Sequence, residues 1–277
     1  MLRLVKNNLR NYVFCKFTVI AVILLLGGTV MDHQPDSDTK GYLVNHYVVY
    51  SMIIVCAAVL IKSEKDKQAG FYRNLIVAGY KRWQVLTAHV IASAVYGAII
   101  YLAEALIVCA ATGSAAALLT CIAAYMFCSA VAACLSMLID NVLTAVLAIA
   151  AAAGFMFGIS SLVTEPLYEP QHEYIFLDEN GKEDLYNGEL TMIDNPDYIG
   201  GAARVCLKTL AYLNPFAQIT YAENAIKNAI GFDYDYYHDD ENKVPYMYEL
   251  IFPIITLGLM TAVCAAGSIA FRKKDLN

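Results

Sequence analysis

The chain has 277 residues, of which 59% are hydrophobic and only 16% are charged. Because soluble domains carry about 25% charged residues, this composition excludes an ordinary soluble domain and predicts a polytopic membrane protein. The formal net charge of −6 argues against a nucleic-acid-binding protein, which requires a basic surface.

Six apolar segments are long enough to cross a bilayer as helices. A hydrocarbon core of about 30 Å requires about 20 apolar residues per helix. We therefore predict an all-α polytopic membrane protein with six transmembrane helices, five of them within residues 1–163 and the sixth, followed by a basic tail, within residues 248–277. The six segments are Tyr12–Val30, Leu43–Ile61, Gln84–Ala110, Ala115–Ile139, Val142–Val163 and Glu249–Phe271.

Basic residues predict the orientation of these spans. Most of the 19 Lys and Arg residues fall at the N-terminus, between the second and third spans, and at the C-terminus. Since Lys and Arg are enriched on the inner side of a membrane, both termini are expected to be cytoplasmic. Met1–Val13 mixes Leu and Val with Arg and Lys, which is typical of an interfacial helix on the inner leaflet. A frayed basic tail is the alternative.

The segment Ser63–Trp83, between the second and third spans, holds the densest group of basic residues in the chain. It includes a short amphipathic helix, predicted at 69–79, that cannot cross a membrane. Leu75–Val77 offer apolar contacts to a partner or to the bilayer, and the Arg73 guanidinium offers a fork of donors to partner carboxylates. We interpret this segment as a docking surface for a cytoplasmic partner. The alternative is a basic surface loop without a partner.

Glu104 is the one carboxylate well inside a predicted span. At a rise of 1.5 Å per residue it lies about 30 Å beyond Gln84, which places it toward the outer side. A charge at the bilayer centre costs about 3 kcal/mol, and less near an interface. Glu104 therefore either lines a polar pathway, or snorkels or pairs locally.

The fourth and fifth spans are joined only by Asp140 and Asn141, which predicts a tight hairpin with its tip at the inner face. Both spans are rich in Ala, Gly, Ser and Cys, and Gly154 and Gly158 stand four residues apart. Small residues let helices approach closely in lipid. We favour packing inside one subunit over a dimer interface as the reason for these small residues.

Residues 164–247 form a predicted extracellular segment of mixed structure. Glu173–Leu177 and the run to Ile193 are typical of two or three short strands with tight turns. The segment is strongly acidic. Phe232–Asn242 is expected to be a solvated loop, because its Asp spacing lacks the calcium-loop pattern.

The same segment contains two predicted amphipathic helices. The first is Gly201–Leu213. The second follows Asn214, which can cap a helix, and Pro215, which suits the first helical position. Both helices have apolar faces and are expected to dip into or lie on the outer leaflet, above the spans.

No motif in the chain supplies catalytic chemistry. The chain lacks a G-x-x-x-x-G-K-[ST] phosphate loop, so it should not hydrolyse ATP itself. It also lacks the H-E-x-x-H and G-x-S-x-G motifs. Nearly all of its eight cysteines fall in the predicted spans, so no extracellular disulfide framework is expected. We predict neither an enzyme nor a bound metal or cofactor.

Seven residues in Ser63–Trp83 carry a resemblance to a known family. The segment resembles the E…G-x-x-R-N-x-[LI]…G…R pattern of permease subunits of type-two-class ABC exporters, and Asn214-Pro215-Phe216 before the last span is also similar to that family. The chain departs from the pattern at Phe71, where members often have Thr after the first Gly. The seven residues are Glu64, Gly70, Arg73, Asn74, Leu75, Gly79 and Arg82.

This resemblance implies that the helix at 69–79 is a coupling helix that sits on a separate cytoplasmic ABC ATPase subunit. The seven residues would then be ATPase-coupling residues, and ATP and Mg would bind to the partner. The resemblance also implies a second permease subunit, identical or paralogous, and a bacterial plasma-membrane location. Small permeases of this kind are similar to exporters of amphipathic peptides such as phenol-soluble modulins and lantibiotics. The alternative function is a membrane sensor or assembly factor whose extracellular segment binds a ligand.

Overall fold

The computed structural model describes residues 1–15, 18–19, 37–112, 118–177, 189–229 and 248–272. Across these residues the chain is mostly helical, with nine helices and one two-stranded sheet. The helices are α1 (Leu2–Val13), α2 (Ser37–Gln68), α3 (Phe71–Val77), α4 (Arg82–Thr112), α5 (Leu118–Leu138), α6 (Val142–Tyr168), α7 (Gly201–Leu213), α8 (Pro215–Ala229) and α9 (Tyr248–Arg272), and the strands are β1 (His172–Leu177) and β2 (Glu189–Asp194).

Four helices in the described ranges are long and apolar enough to cross a bilayer, and they correspond to the last four predicted spans. The predicted second span, Leu43–Ile61, lies within the 32-residue α2. Most of the predicted first span, Tyr12–Val30, lies outside the described residues. A count of six therefore stays a prediction. The four helical stretches are Arg82–Ala103, Leu118–Leu138, Val142–Tyr168 and Leu250–Arg272.

Helix α5 lies at the centre of the described bundle, where it packs against α2, α4 and α9. Its buried face is built largely of small residues such as Ala124, Ala130 and Ala133. Between helices in lipid there is no hydrophobic driving force, so close contact has to come from small side chains that let the backbones approach. The alanine-rich sequence of α5 supplies that surface.

Two glycines mark the closest approaches to α5. A methyl group on Gly97 of α4 would overlap Ser129 Oγ, and one on Gly267 of α9 would overlap Cys134 Sγ. Both partners belong to α5, so neither position has room for a Cβ unless the α5 side chain moves. The two contacts hold α4 and α9 tightly against the central helix.

The two ends of the bundle differ. The first end, here called the α3 end, carries α1 and α3 next to the C-terminus of α2 and the N-terminus of α4. The last turns of α9 reach the same end, because Gly267 lies against Leu86 and Cys134. The opposite end, here called the α8 end, carries the β-hairpin, α7 and α8, and there Phe252 near the start of α9 contacts the ring of Tyr212.

Asn141 finishes the tight turn between α5 and α6. Its Oδ1 accepts hydrogen bonds from the backbone N–H groups of Leu143 at 2.8 Å and Thr144 at 3.3 Å. These are two of the donors that the first turn of a helix leaves without an intrahelical partner. The cap helps the three residues 139–141 to reverse the chain between α5 and α6.

Asn214 sets the corner between α7 and α8. Its Oδ1 accepts a hydrogen bond from the Phe216 backbone N–H at 3.0 Å, and its Nδ2 donates to the carbonyl oxygen of Met156 in α6 at 2.8 Å. Asn214 is buried, so one side chain both caps α8 and fastens it to a span. The helix that the sequence predicts after Asn214 begins at Pro215.

Two more buried side chains fix the α8 end. Arg204 Nη2 of α7 donates to the carbonyl oxygen of Leu167 in α6 at 3.1 Å. Gln218 of α8 donates from Nε2 to the carbonyl oxygen of Tyr212 at 2.6 Å and accepts from Thr256 Oγ1 of α9 at 2.5 Å. These bonds attach α7 and α8 to both α6 and α9.

The β-hairpin follows α6 directly. Strands β1 and β2 are antiparallel, with His172 opposite Asp194 and Leu177 opposite Glu189. Where the sequence pattern predicts two or three short strands, the described residues of this segment contain two. The residues that connect them, and the predicted loop Phe232–Asn242, lie outside the described residues.

Helix α6 is the most exposed of the four candidate spans. Within its apolar stretch 6% of the residues are buried, against 67% for α4. Gly154 and Gly158 are exposed, and a Cβ added at either would meet nothing within 4 Å. Among the described residues nothing packs on these two glycines. Packing inside the subunit, the favoured sequence interpretation, stays a prediction, because most of the predicted first span lies outside the described residues.

Candidate functional site

Helix α3 is a seven-residue helix between two glycines of unusual conformation. Gly70 precedes it with a φ of 67°, and Gly79 follows it with a φ of 93°. A positive φ is costly for residues that carry a Cβ, whereas a Cβ at either position would meet nothing within 4 Å. The backbone conformation, rather than a lack of space, therefore demands glycine at both ends of α3.

One face of α3 is exposed. Arg73, Asn74 and Val77 are exposed on it, and the Val77 side chain is 80% accessible. Residues three and four positions apart share a helix face, so Val77 lies beside both Asn74 and Arg73 and the three side chains form one patch. We call Arg73, Asn74 and Val77 the exposed ridge. It presents a cation, an amide and an apolar group side by side.

The opposite face of α3 packs into the bundle. Tyr72 is buried, and Leu75 and Ile76 pack against the main hydrophobic core. Leu75 and Ile76 are only half-buried, so the expectation that Leu75–Val77 contact a partner or the bilayer stays a prediction. Residues three and four positions apart share a helix face, so these two follow Tyr72 into the core and leave Val77 outside.

Tyr72 reaches a buried polar cluster centred on His89 of α4. The His89 Nε2 atom lies 2.8 Å from Ser63 Oγ of α2 and 3.3 Å from the Tyr12 hydroxyl of α1, and its Nδ1 atom lies 3.2 Å from the Tyr72 hydroxyl. Ser93 Oγ donates to the Tyr12 hydroxyl at 2.9 Å. We call Tyr12, Ser63, Tyr72, His89 and Ser93 the tyrosine–histidine junction. Four helices, α1 to α4, meet there.

The junction is closed to water. Its five side chains are buried, and His89 is only 1% exposed. Burial raises the pKa of the Tyr72 phenol well above its ordinary value, so this hydroxyl stays protonated. A neutral imidazole offers one donor and one acceptor nitrogen, and a charged ring among hydroxyl groups would be costly to bury. The arrangement therefore favours a neutral His89 that both donates and accepts.

Charged side chains at the end of α2 bond within α2 and to the turn between α5 and α6. Lys67 Nζ lies 3.3 Å from the Glu64 carboxylate and donates to the carbonyl oxygen of Ile139 at 2.7 Å. Glu64 also accepts a hydrogen bond from Gln68 at 3.3 Å. The Glu64 carboxylate is thus engaged inside α2, where it orients Lys67 toward the end of α5.

The structure brings most of the predicted coupling residues together. Five of the seven lie on α3 or at the glycines that flank it. Their role stays a prediction, as does that of the other two. The five are Gly70, Arg73, Asn74, Leu75 and Gly79, and the other two are Glu64 in α2 and the half-buried Arg82, which begins α4.

Glu104 is far from this group. It belongs to α4, about 33 Å beyond Arg82 at the helical rise of 1.5 Å per residue, and its side chain lies outside the described residues. A role in a polar pathway stays a prediction. Within the ranges that the structure covers, no group of His, Cys, Asp and Glu is arranged to hold a metal ion.

Sequence reasoning missed most of the junction. No motif or charge pattern in the chain singles out Ser63, Tyr72 or Ser93. A usable signal existed in α1, where the buried residues Leu4, Asn8 and Tyr12 recur every four positions, as expected for a helix face that packs against protein rather than lipid. Two polar side chains on that face indicate polar partners in the bundle.

Comparison with known proteins gives one match. The family model described as ABC-2 family transporter protein matches residues 27–270, a range that includes α2 to α8 and nearly all of α9. Searches of curated proteins and of solved structures returned no significant match. The chain therefore belongs to the ABC-2 family of transporter proteins, which are the membrane components of ABC transporters and work with a separate ABC ATPase subunit.

Proposed function

We propose that this chain is the membrane-spanning permease subunit of an ATP-driven exporter and that α3 is the coupling helix that binds the ATPase. The observation that carries the proposal is the two-sided character of α3. Its exposed ridge, Arg73, Asn74 and Val77, is available to a partner, while Tyr72 on the opposite face is anchored in the bundle. A helix of this kind can bind on one side and push on the other.

The chemistry of the exposed ridge suits a protein partner. The Arg73 guanidinium can make a bidentate pair with a carboxylate, and Asn74 can donate and accept. Val77 supplies apolar area that becomes buried on contact. Interfaces commonly combine an apolar centre with arginine and polar groups at its rim. The ridge therefore fits an ATPase surface that offers a shallow apolar pocket next to acidic side chains.

The mechanism follows from the rigidity of α3. Its length is fixed by the glycine turns at Gly70 and Gly79, and Leu75 and Ile76 pack against the core. Closure of the ATPase would displace α3 as a rigid body, and the spans packed against it would follow. In this proposal both termini are cytoplasmic, the α8 end faces outward, and the host is a bacterium.

The proposed cargo is an amphipathic cationic peptide, exported with the help of a second permease subunit. Three features support this. An apolar groove of about 210 Å³ lies between α5 and α9 and is lined by residues that include Ile122, Met126 and Ile254. The exposed face of α6 at Gly154 and Gly158 leaves room for close approach of a second subunit. The acidic segment 164–247 would attract a cationic peptide.

The coupling proposal is tested by co-purification from native membranes. We expect a stoichiometric ATPase subunit with the unmodified chain, and an association weakened at least about tenfold by Arg73→Glu or Val77→Asp, because charge reversal or a buried carboxylate at an interface centre costs more than about 1.4 kcal/mol. Lys208→Glu is the matched control, since Lys208 is exposed on α7 at the opposite end. If both ridge variants co-purify with as much ATPase subunit as the unmodified chain does, the proposal is contradicted.

The cargo proposal is tested separately with the permease–ATPase complex in liposomes. A cationic amphipathic helical peptide is expected to raise the rate of ATP hydrolysis. A scrambled peptide of the same composition lacks the apolar face and is expected to leave the rate unchanged. If both peptides act equally, or neither acts, this cargo class is wrong while the coupling role of α3 is unaffected.

A further inference from the structure

We infer that His89 is a positioning residue that joins the coupling helix α3 to α1 and α4, so that movement of α3 is passed into the bundle through the tyrosine–histidine junction. This inference rests on the proposed function, in which α3 receives movement from the ATPase. His89 is not part of the E…G-x-x-R-N-x-[LI]…G…R pattern in Ser63–Trp83. The inference therefore assigns the transmission of movement to a residue outside that pattern.

The geometry places one ring at the meeting point of four helices. His89 belongs to α4, and its nitrogens lie within 2.8 to 3.3 Å of hydroxyl groups from α1, α2 and α3. The contact from α3 comes from Tyr72, which lies directly before Arg73 of the exposed ridge. The contact from α1 comes from Tyr12, which Ser93 holds from the side of α4. A force on the ridge therefore reaches His89 through a single residue of α3.

Ring contacts continue the connection along α4. The Tyr72 ring meets the His89 ring edge-on, with centroids 5.3 Å apart, and the Tyr12 ring stacks on the His89 ring at 5.8 Å. Tyr96, two turns farther along α4, also stacks on the Tyr12 ring, with centroids 5.2 Å apart. These contacts run from α3 into the interior of a candidate span.

Burial makes the junction behave as a unit. A buried hydroxyl or imidazole nitrogen that loses its partner has no water to replace it, and packed interiors are bistable rather than continuously deformable. Separating α3 from α4 would leave several such groups unpaired at once. The low-energy response to displacement of α3 is therefore a joint movement of α3, α1 and the start of α4.

A second connection at the same end differs in kind. Lys67 joins α2 to the end of α5 through the Ile139 carbonyl, but its side chain is 19% exposed. Water can replace that bond when the helices move. We therefore infer that the buried junction, and not Lys67, transmits the movement of α3.

The test uses the only tryptophan of the chain as a probe. Trp83 lies in the first turn of α4 and is partly exposed. The permease is produced with 5-fluorotryptophan, combined with unlabelled ATPase, and the ¹⁹F resonance is recorded with and without a non-hydrolysable ATP analogue. In the unmodified complex we expect a shift of the resonance that depends on the nucleotide.

In His89→Leu and Tyr72→Phe we expect the ATPase to stay bound and the nucleotide-dependent shift to fall by at least half. His89→Gln, which keeps a donor and an acceptor, is expected to retain most of the shift. Tyr125→Phe in α5 is the matched control. It likewise removes the hydroxyl of a fully buried tyrosine, but one outside the junction, and it should leave the shift unchanged. If the variants only lost stability, ATPase binding and the melting temperature would fall. His89→Gln would then not restore the shift selectively.

The outcomes separate the two proposals. If His89→Leu and Tyr72→Phe bind the ATPase and keep the full nucleotide-dependent shift, the junction does not carry the movement and the inference fails, while the coupling role of α3 stands. If the unmodified chain binds no ATPase, the proposed function fails and the inference fails with it. Should His89→Leu not fold, Tyr72→Phe and Tyr12→Phe, which each remove one oxygen atom, decide the question.

Discussion

A Gly267→Ala substitution in α9 is expected to destabilise the folded protein by about 1–3 kcal/mol, the usual cost of forcing an extra methyl group into a packed core. The new Cβ would overlap Cys134 Sγ of α5 and lie 3.6 Å from Leu86 Cδ2 of α4. Three helices meet at this point, so the methyl group has to push α9 away from the centre of the bundle. Thermal unfolding of the purified protein in detergent measures the effect.

Gly258→Ala in the same helix is the matched control. A Cβ on Gly258 would meet nothing within 4 Å, and replacing glycine by alanine in a helix interior gains up to about 1 kcal/mol. The two substitutions should therefore change stability in opposite directions. Cys134→Ala removes the overlapping sulfur and should restore most of the stability lost in Gly267→Ala. Equal stability of the Gly258 and Gly267 variants would show that α9 does not pack on α5 in this way.

A Gln218→Leu substitution in α8 is expected to cost about 2–3 kcal/mol. Gln218 is fully buried and bonded at both ends, to the Tyr212 carbonyl and the Thr256 hydroxyl. Leucine has a similar size but leaves a buried acceptor and a buried hydroxyl without partners, at about 1–3 kcal/mol for each. Unfolding in detergent measures the loss, and limited proteolysis of the segment that follows α8 should become faster.

The double variant Gln218→Leu/Thr256→Val tests the reason for that loss. Removing both members of a buried hydrogen-bonded pair is often nearly neutral, because no polar group is left unpaired. We expect the double variant to recover about half of what Gln218→Leu loses, because the Thr256 hydroxyl is gone while the Tyr212 carbonyl still lacks its partner. If Thr256→Val adds its own full cost instead, the two side chains are not coupled and the bond between α8 and α9 does not hold the α8 end together.

Part of the site could be predicted from local sequence. Gly70 and Gly79 stand where the chain must turn sharply around a short helix, and glycine is the residue that such turns require. Asn214 and Pro215 carry the start signals of a helix, and the helix begins there. In both places the deciding chemistry lies within a few residues of the position, so the sequence alone contains it.

The tyrosine–histidine junction could not be predicted in this way. Tyr12, Ser63, Tyr72 and His89 are spread over four helices, and a tyrosine near a span end has the same sequence context whether it anchors at the membrane surface or points into the bundle. The rotation of α6 about its own axis could not be predicted either. A helix that is apolar all round gives no preferred direction, so the side on which Gly154 and Gly158 lie depends on packing that only the structure shows.

The exposed glycines of α6 have a consequence for how this protein meets its surroundings. At Gly154 and Gly158 no side chain from the described part of the chain covers the backbone, so this surface of α6 has a notch about one turn long. In a bilayer no water is released when such a notch is filled, and the attraction comes from dispersion and weak Cα–H···O contacts. A lipid acyl chain and a neighbouring helix then compete on nearly equal terms. Occupancy of the notch is set by the lipid composition of the membrane as much as by the protein.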